Sequence, residues 1–471
     1  MHLLLVVAVV AWMGAEAAVN TCANEDAIPL ILDIDPNIDD VLSLAYLAKE
    51  GSFELRAVIV TSTGFSNPSA GVEIVYRELE LLGLTDVDVG IGPFYPTSCE
   101  IFGFDEDNGR FCDQMRVVNR EDHWRIDNLY GIKNTRLPYS SNFPAFEDGD
   151  GTASVPMDAV EIYKRHVDDG VTFIITNGPL TSLLAFMTTY PDSFAMIETV
   201  YSMLGNVDVV GNVYTLVGND VAEFNVAADS VAAAAIVNST IPEIRLVTLD
   251  GTNFVPVTRE MFAALADVET LEAEFILDLT EKARDNWFSG VDGFYGELPN
   301  GTKTEQSIAD GYFLWDPLAA ILATQPDLAT WSYDALLVTT TVPVDLDSDG
   351  AVFRDSVGKI VYWTTNLTEA SAEFVRDDIV AVLNKSCIVD QPLPLNTMNS
   401  VYEMLATEYG YVEGSAWVPN TCDSDLTVVT EATSTTCPAG YVCDTRRRTT
   451  SNRRLRFGYA TAQAGTCVKS V

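Results

Sequence analysis

Four aspartates occur within eight residues near the start of the chain, in the segment Asp33-Ile-Asp35-Pro-Asn-Ile-Asp39-Asp40. They follow the apolar run Ile28–Ile34, which predicts a buried strand, and they precede residues 41–47, whose apolar spacing predicts a helix. Open α/β sheets bind ligands at such strand-to-helix turns. Crowded carboxylates need a cation between them, and oxygen ligands suit hard ions such as Ca²⁺, which accepts about 6–8 of them. The segment therefore predicts a divalent metal site in an enzyme.

Two other interpretations of the aspartate segment stay open at this point. Asp and Asn favour helix N-caps and first turns, so two or three of these residues could serve as caps, although capping needs one carboxylate and not four. Aspartyl-nucleophile phosphotransferases also place Asp-x-Asp after a strand. That pattern usually continues with a small hydroxyl residue, where this chain has Pro36-Asn37.

The arrangement of apolar segments predicts which elements must position these aspartates. From about residue 24 to residue 384, short β-branched runs alternate with amphipathic stretches, and this alternation favours an α/β fold with an open, mainly parallel sheet flanked by helices. We place the main domain at residues 24–400, with an inserted polar loop region at 99–150. The strand candidates besides the first are Arg56–Thr61, Val171–Thr176, Thr199–Leu204 and Ile244–Leu249, and Pro179–Met187 is a helix candidate.

The net charge excludes two classes of partner. The 471 residues include 68 acids and 27 bases, a formal charge of −41. Such a field repels nucleic-acid backbones and anionic membrane surfaces, so neither nucleic acid nor membrane is an expected partner. Hydrophobic residues make up 48% of the chain, which suits a packed core and not a disordered protein.

The N-terminus predicts secretion. Residues 1–18 combine a short apolar core, Leu3–Trp12, with small residues up to Ala18, which is typical of a cleaved signal peptide. Eight cysteines fit an oxidising compartment with disulfides, and the three histidines and the lack of Cys-x-x-Cys argue against zinc. Four sites match the N-glycosylation pattern of a secreted glycoprotein: Asn238, Asn300, Asn366 and Asn384.

The C-terminal residues 420–471 differ in composition from the rest. They contain four of the eight cysteines and carry 7 bases against 4 acids. We expect a small, disulfide-bonded, basic extension here, and a disordered tail or processing site is the alternative. The Asp345–Gly350 segment imitates the opening of an EF-hand loop, but Ser356 replaces the glutamate of the twelfth position, which argues against a second Ca²⁺ site.

Four motifs, in order, resemble the inosine–uridine-preferring nucleoside hydrolase family over roughly residues 27–385. The aspartate segment resembles the family's N-terminal signature. The other three are Ile175–Thr181 (its central Thr-x-Gly-Pro-Leu-Thr turn), Ala222–Asn225 (its ribose-binding Glu-Phe-Asn) and Trp315–Ala319 (its Asp-Pro-Leu-Ala). Each motif alone is weakly specific, whereas four in this order are strongly specific.

The resemblance implies a Ca²⁺ ion at the base of a pocket. Its protein ligands would be Asp35, Asp39, Asp40, the backbone carbonyl of Thr176 and Asp316, all of them oxygen donors that suit a hard cation. Asp35 would also be the catalytic general base, which activates a water for hydrolysis of the N-glycosidic bond. Members of the family are commonly dimers or tetramers, so the resemblance also implies a homodimer or homotetramer.

Sugar-binding residues follow from the same resemblance. Glu223 and Asn225 lie on the matching motif, Asn37 lies inside the first motif, and Asn212 and Met203 match an upstream Asn and an apolar residue under the ribose. Two alternatives remain open from the residues alone. Asn212 has a Gly neighbour and suits a plain turn, and Met203 suits core packing.

The chain departs from many members of the family in one position that bears on the substrate. They have a His before the last metal-binding Asp, where this chain has Trp315, so a leaving pyrimidine would lack an acid. The purine-specific inosine–adenosine–guanosine branch resembles this arrangement, with Trp315, Trp124 and Tyr312 as candidates to line the base pocket. Ordinary burial of Trp315 and loop packing of Trp124 are the alternatives.

These observations predict a secreted, Ca²⁺-dependent nucleoside hydrolase that cleaves purine nucleosides to free base and ribose. A nucleosidase of broad or pyrimidine range, and a non-catalytic secreted protein that binds nucleosides or ribose, are the alternatives.

Overall fold

A computed structural model describes residues 22–65, 68–84, 86–93, 96–97, 157–213, 219–286, 312–340 and 349–386, together with three short strands of the C-terminal extension. The predicted signal peptide, the predicted insertion at 99–150 and residue 300 lie outside the described residues. The extent of the main domain stays a prediction.

A ten-stranded sheet forms the centre of the molecule, in the spatial order β4-β3-β2-β1-β5-β6-β7-β10-β8-β9. Its strands from β4 to β10 in this order are parallel, and β8 and β9 add an antiparallel edge. The strands are β1 Ile28–Ile34, β2 Phe53–Val60, β3 Asp88–Ile91, β4 Met157–Asp158, β5 Phe173–Thr176, β6 Thr199–Met203, β7 Glu243–Val247, β8 Ala329–Val338, β9 Val352–Arg354 and β10 Lys359–Leu367.

Helices cover both faces of this sheet, which confirms the predicted open, mainly parallel α/β fold. They are α1 Ile38–Glu50, α2 Pro68–Leu81, α3 Ala159–Asp168, α4 Thr181–Thr189, α5 Pro191–Phe194, α6 Phe224–Ala228, α7 Ser230–Val237, α8 Leu249–Thr252, α9 Arg259–Ala266, α10 Leu271–Asn286, α11 Trp315–Thr324 and α12 Glu369–Leu383, with a 3₁₀ turn at Pro326–Leu328. Among the helices described here, none combines the length and the apolar character that crossing a membrane requires.

Two hydrophobic clusters, one on each face of the sheet, explain why the central strands are almost continuously apolar. Along β1, alternate residues enter opposite clusters, so that Leu30, Leu32 and Ile34 pack on one face and Ile31 on the other. A parallel strand that is covered on both faces has no face exposed to solvent, so its sequence does not alternate between apolar and polar residues. The predicted strand Ile28–Ile34 is confirmed with the same bounds.

The parallel strands all present their carboxyl ends to one edge, where the predicted site residues follow β1, β5 and β6. Asp33 on β1 is in register with Thr176, the last residue of β5, which in turn is in register with Ser202 on β6. Helix α11, which carries Asp316, packs against α1 and the β5–β6 region. The fold therefore gathers segments that are far apart in the sequence at a single edge of the sheet.

The C-terminal extension contains a small antiparallel sheet in the order β11-β13-β12. Its strands are β11 Thr421–Cys422, β12 Tyr441–Asp444 and β13 Gly465–Lys469. The prediction of disulfides in this extension is not tested by this backbone arrangement.

Candidate active site

Asn37 and Asp40 form the start of α1 and explain why the helix begins at Ile38. The Asn37 side chain caps the helix, and the Asn37 N–H donates to Asp40 Oδ2 at 2.8 Å, which completes a reciprocal capping box. Asp40 Oδ1 lies in the buried interior without a hydrogen-bond partner. Capping therefore occupies one oxygen of Asp40 and leaves the other for a different ligand, so capping and metal binding are compatible at this residue.

Three carboxylates converge at this edge of the sheet. Asp39 and Asp40 lie in the first turn of α1 and Asp316 in the first turn of α11, and one ligand oxygen of each lies within 4.8 Å of the others. All three side chains are at least nine-tenths buried. Tyr312 fixes one of them, because its hydroxyl donates to Asp39 Oδ1 at 2.7 Å and accepts the Asp39 N–H at 3.2 Å.

Burial and mutual repulsion make these carboxyls hard to ionise. Burial, together with the charges of Asp35 and Asp39, raises the pKa of Asp40 well above its ordinary value. Burial also raises the pKa of Asp316, and the neighbouring charges of Asp39, Asp40 and Asp35 add to the effect. Among the described residues, no Lys or Arg forms an ion pair with this cluster.

Asp35 lies beside the three-carboxylate cluster and is held by a backbone amide. The Phe65 N–H donates to Asp35 Oδ2 at 2.7 Å, and the preceding residue must be small, because a Cβ on Gly64 would lie 2.2 Å from Asp35 Oδ2. Burial raises the pKa of Asp35 to about 7, although the Phe65 amide opposes this. A carboxyl with a pKa near neutrality suits a general base.

The predicted metal site can be checked by asking whether the oxygen atoms of the converging side chains suit a cation. The three converging side chains offer only carboxylate oxygens, and the unpartnered Asp40 Oδ1 loses its hydrogen bonds to water without a replacement. Such a loss costs about 1–3 kcal/mol, and a bound cation would offset it. Thr176 ends β5 at the same edge, in register with Asp33. The residues present therefore fit a hard divalent ion; the identity of the ion is not fixed by this chemistry.

Glu223 and Asn225 lie at the start of α6, next to the end of β6. Glu223 caps α6 and accepts the N–H groups of Asn225 at 2.8 Å and Gly205 at 3.0 Å. Burial raises the pKa of Glu223 to about 7 against these hydrogen bonds. The Asn225 amide donates to the backbone carbonyls of Asn177 at 2.8 Å and Met203 at 3.0 Å. The structure therefore brings Glu223 and Asn225 together with Met203, and Asn225 also contacts Asn177, which follows Thr176.

The remaining predicted sugar residues have clear structural roles. Met203 is buried at the end of β6 and belongs to the core cluster, so core packing holds for it. Asn212 Oδ1 accepts the Phe224 N–H at 2.8 Å and thereby fixes the start of α6. Asn37 caps α1, as described above. These contacts do not test whether the three side chains also bind a sugar.

Trp315 and Tyr312 form an aromatic cluster at the start of α11. Their rings meet edge to face with centroids 5.0 Å apart, and the buried indole Nε1 of Trp315 has no hydrogen-bond partner. A small apolar pocket adjoins Tyr312 and Asp39 and is otherwise lined by residues of α1, α9 and α10 and by the residues that precede α9 and α11. Tyr312, predicted to line the base pocket, thus also anchors Asp39 through its hydroxyl. Trp124 lies outside the described residues.

Several residues at this edge were not assigned a role from the sequence. The Tyr163 hydroxyl donates to Asp33 Oδ2 at 2.6 Å, while Asp33 Oδ1 has no partner. Asp33 was recognised from the sequence as part of the aspartate segment but was assigned no role of its own. The Phe65 amide and the buried Asp229 had no signal of their own, because their contacts depend on residues distant in the sequence.

Comparisons with known proteins identify one family of relatives. Residues 30–383 match the model of a family described as Inosine-uridine preferring nucleoside hydrolase. Nucleoside hydrolase 3 of Arabidopsis thaliana is 28% identical over 299 residues, which cover 57% of this chain and 33% of that protein. A pyrimidine-specific ribonucleoside hydrolase of Shewanella woodyi is 28% identical over 253 residues, which cover 54% of this chain and 70% of the relative.

A solved structure shows the same fold. The purine-preferring ribonucleoside hydrolase from Gardnerella vaginalis superposes with a TM-score of 0.56 at 19% identity, over 76% of this chain and 99% of that one. The chain spans only a third of the length of the Arabidopsis relative named above.

Proposed function

Since the chain belongs to the inosine-uridine preferring nucleoside hydrolase family, we propose that it hydrolyses the N-glycosidic bond of ribonucleosides to a free base and ribose, with a preference for purines. The observation that carries this proposal is the buried convergence of Asp39, Asp40 and Asp316 beside Asp35. A binding protein for neutral sugars would have no use for so many buried acids, since each costs free energy to desolvate.

Asp35 takes the role of general base. Its carboxylate accepts a proton from a water molecule as the water oxygen bonds to C1′ of the ribose. The bond between C1′ and the base nitrogen breaks, and its electron pair leaves with the base. A cation bound by Asp39, Asp40 and Asp316, which we propose to be Ca²⁺, would lower the pKa of that water and orient the hydroxyls of the sugar.

The buried carboxylates also stabilise the transition state. As the glycosidic bond breaks, positive charge develops on C1′ and the ring oxygen. Fixed negative groups that are shielded from bulk water interact strongly with such a charge. We propose that Glu223 and Asn225, at the start of α6, bind the sugar hydroxyls and so hold C1′ opposite Asp35.

The purine preference rests on the leaving group. His166, the histidine that the structure describes, pairs with Asp88 at 2.6 Å and not with the carboxylate cluster. A base must gain a proton as it leaves, and a purine can accept that proton on its imidazole ring from solvent. Trp315 and Tyr312 offer aromatic surface at the site, and stacking contributes about 1–3 kcal/mol per base.

Release of ribose from inosine and from uridine, each with and without a chelator, tests the proposal. We expect cleavage of inosine well above uridine, abolished by the chelator and restored by Ca²⁺, and loss of cleavage in Asp35→Asn. Equal rates on both nucleosides would favour a nucleosidase of broad range, which the similarity to a pyrimidine-specific enzyme makes the second candidate. Binding without cleavage would favour the non-catalytic alternative.

We also propose that the protein is secreted and glycosylated. The apolar N-terminal segment supports secretion. Three of the four acceptor asparagines, Asn238, Asn366 and Asn384, are exposed, so a glycan could be attached there without disturbing the core. A homodimer or homotetramer remains the proposed assembly. Enzymatic deglycosylation of secreted protein should lower its mass.

A further inference from the structure

The turn after β2 contacts Asp35 through its backbone. Its last two residues, Gly64 and Phe65, approach the carboxylate so closely that the Phe65 N–H donates to Asp35 Oδ2 at 2.7 Å and no Cβ fits on Gly64. Every residue except proline has the same backbone N–H, so the residue type at position 65 does not determine where this donor lies. Its position depends on the contacts that fix the backbone of residues 61–65.

A chain of buried hydroxyls holds this turn. Thr63 Oγ1 lies 2.8 Å from Thr181 Oγ1, and the Thr181 hydroxyl donates to Asp229 Oδ2 at 2.8 Å. Since a hydroxyl has one proton, Thr181 must accept from Thr63 while it donates to Asp229. The direction of the chain is therefore set by the carboxylate at its end, from Thr63 through Thr181 to Asp229.

Asp229 is a well-fixed anchor for this chain. The same Oδ2 accepts the N–H and the hydroxyl of Thr97 at 2.7 and 2.8 Å, while Oδ1 accepts the Ala232 N–H at 3.0 Å as the N-cap of α7. Asp229 is 1% exposed. Its carboxylate thus binds the segments that follow β3 and β5 directly, and through Thr181 it is linked to the turn that follows β2.

We propose that Asp229 is a positioning residue for catalysis, which acts through Thr181 and Thr63 on the turn that presents the Phe65 amide to Asp35. The inference rests on the proposed function, in which Asp35 is the base. The three side chains are linked to one another by hydrogen bonds, and the turn that they hold reaches Asp35 through the Phe65 N–H. A misplacement of about 1 Å at a reacting group costs about 100-fold in rate, so a small shift of this turn is sufficient.

The test compares Thr63→Val and Thr181→Val with a matched control. Valine keeps the shape of threonine and removes the hydroxyl. Thr364→Val is the control, because the Thr364 hydroxyl is also fully buried and accepts the Thr248 N–H at 2.9 Å, but it has no contact with the carboxylate cluster. Thr63→Ser restores the hydroxyl without the methyl group. Two readouts are needed: kcat and KM for inosine with Ca²⁺ present, and hydrogen–deuterium exchange of the Phe65 amide.

We expect kcat to fall about tenfold in Thr63→Val and at least as far in Thr181→Val, with KM changed less than about twofold and with faster exchange at Phe65. Thr63→Ser should restore both, and Thr364→Val should lower the melting temperature while leaving kcat and the exchange unchanged. The inference is overturned if exchange at Phe65 stays at the wild-type rate, or if it rises while kcat matches the control. A wild-type protein that releases no ribose would defeat the proposed function, whereas the exchange result would still decide whether the hydroxyl chain holds the turn.

Discussion

Two buried sites that contain acids, both within the described part of the chain, differ in whether the chain supplies the counter-charge. Beneath α12, Lys49 on α1 forms an ion pair with Glu272 on α10, with both side chains at most 3% exposed, and its ammonium also donates to the Leu383 carbonyl at 2.5 Å. At the carboxyl edge of the sheet, Asp39, Asp40 and Asp316 converge with no such partner among the residues that the structure describes.

The comparison shows what a buried carboxylate requires. Where the chain needs only stability, it supplies its own cation, since an unpaired buried charge is strongly destabilising. Where it leaves acids together without one, their joint ionisation would require a cation from outside the chain. Glu78 shows a third possibility, because burial and the nearby charge of Glu272 raise the pKa of Glu78 well above its ordinary value and so favour its neutral form.

Removal of one acid from the edge cluster should have the largest effect. Asp316→Asn keeps the shape of the side chain and removes a charge that a cation would need. We expect Ca²⁺ affinity to fall at least about 100-fold, and release of ribose to fall with it. Calorimetric titration with Ca²⁺ measures the affinity, and Glu78→Gln is the control, since it alters a buried acid outside the cluster. Unchanged Ca²⁺ affinity in Asp316→Asn would break the comparison.

Removal of the cation from the other group should destabilise the fold without loss of metal binding. Lys49→Met leaves Glu272 buried and unpaired, at a cost of about 3–5 kcal/mol in the free energy of unfolding. Urea denaturation measures this cost. The double variant Lys49→Met/Glu272→Met should recover most of it, because a buried pair replaced by apolar residues is often neutral. A single variant within about 1 kcal/mol of the wild type would show that the pair is unimportant.

Metal removal should destabilise the protein more as pH rises. Burial raises the pKa of Asp35 and the pKa of Glu223 to about 7. Such groups contribute stability that is fully present below their unfolded pKa and is lost as pH rises through about 7. A cation binds the ionised carboxylates and offsets this loss. The increase in melting temperature on addition of Ca²⁺ should therefore be larger near about pH 8 than near about pH 5.5, by several degrees. An equal increase at both would contradict the raised pKa values.

The sequence allowed the central strands and the acid cluster to be predicted, for different reasons. Strand β1 is covered on both faces, and its continuous apolar run is typical of such a strand, so its burial could be predicted. Asp39 and Asp40 stand next to each other in the chain, and their crowding is visible without a structure. Strand β8 was missed as a strand candidate, because it lies in the antiparallel edge with many half-exposed residues and shows no continuous apolar run.

Contacts between distant segments could not be predicted in this way. Tyr312 was expected to line a base pocket, and the hydrogen bond that its hydroxyl donates to Asp39 joins residues 273 positions apart. The chain from Thr63 to Asp229 likewise depends on which strands are neighbours in the sheet. The sequence does not indicate which residue a threonine hydroxyl will contact. Adjacent aspartates, in contrast, must repel one another in any fold that buries them together.

The smallest effect is expected at Glu78, and it separates a neutral buried acid from a charged one. Glu78 has both carboxyl oxygens buried without hydrogen-bond partners. Because its pKa is raised in the fold, its contribution to stability is present below the ordinary value of 4.5 and is lost as pH rises. Glu78→Gln cannot ionise, so the variant should be more stable than the wild type near about pH 8, by about 2 °C in melting temperature, and indistinguishable from it near about pH 4. The opposite order, with the wild type more stable at the higher pH, would mean that Glu78 is ionised and that Lys49 stabilises both glutamates.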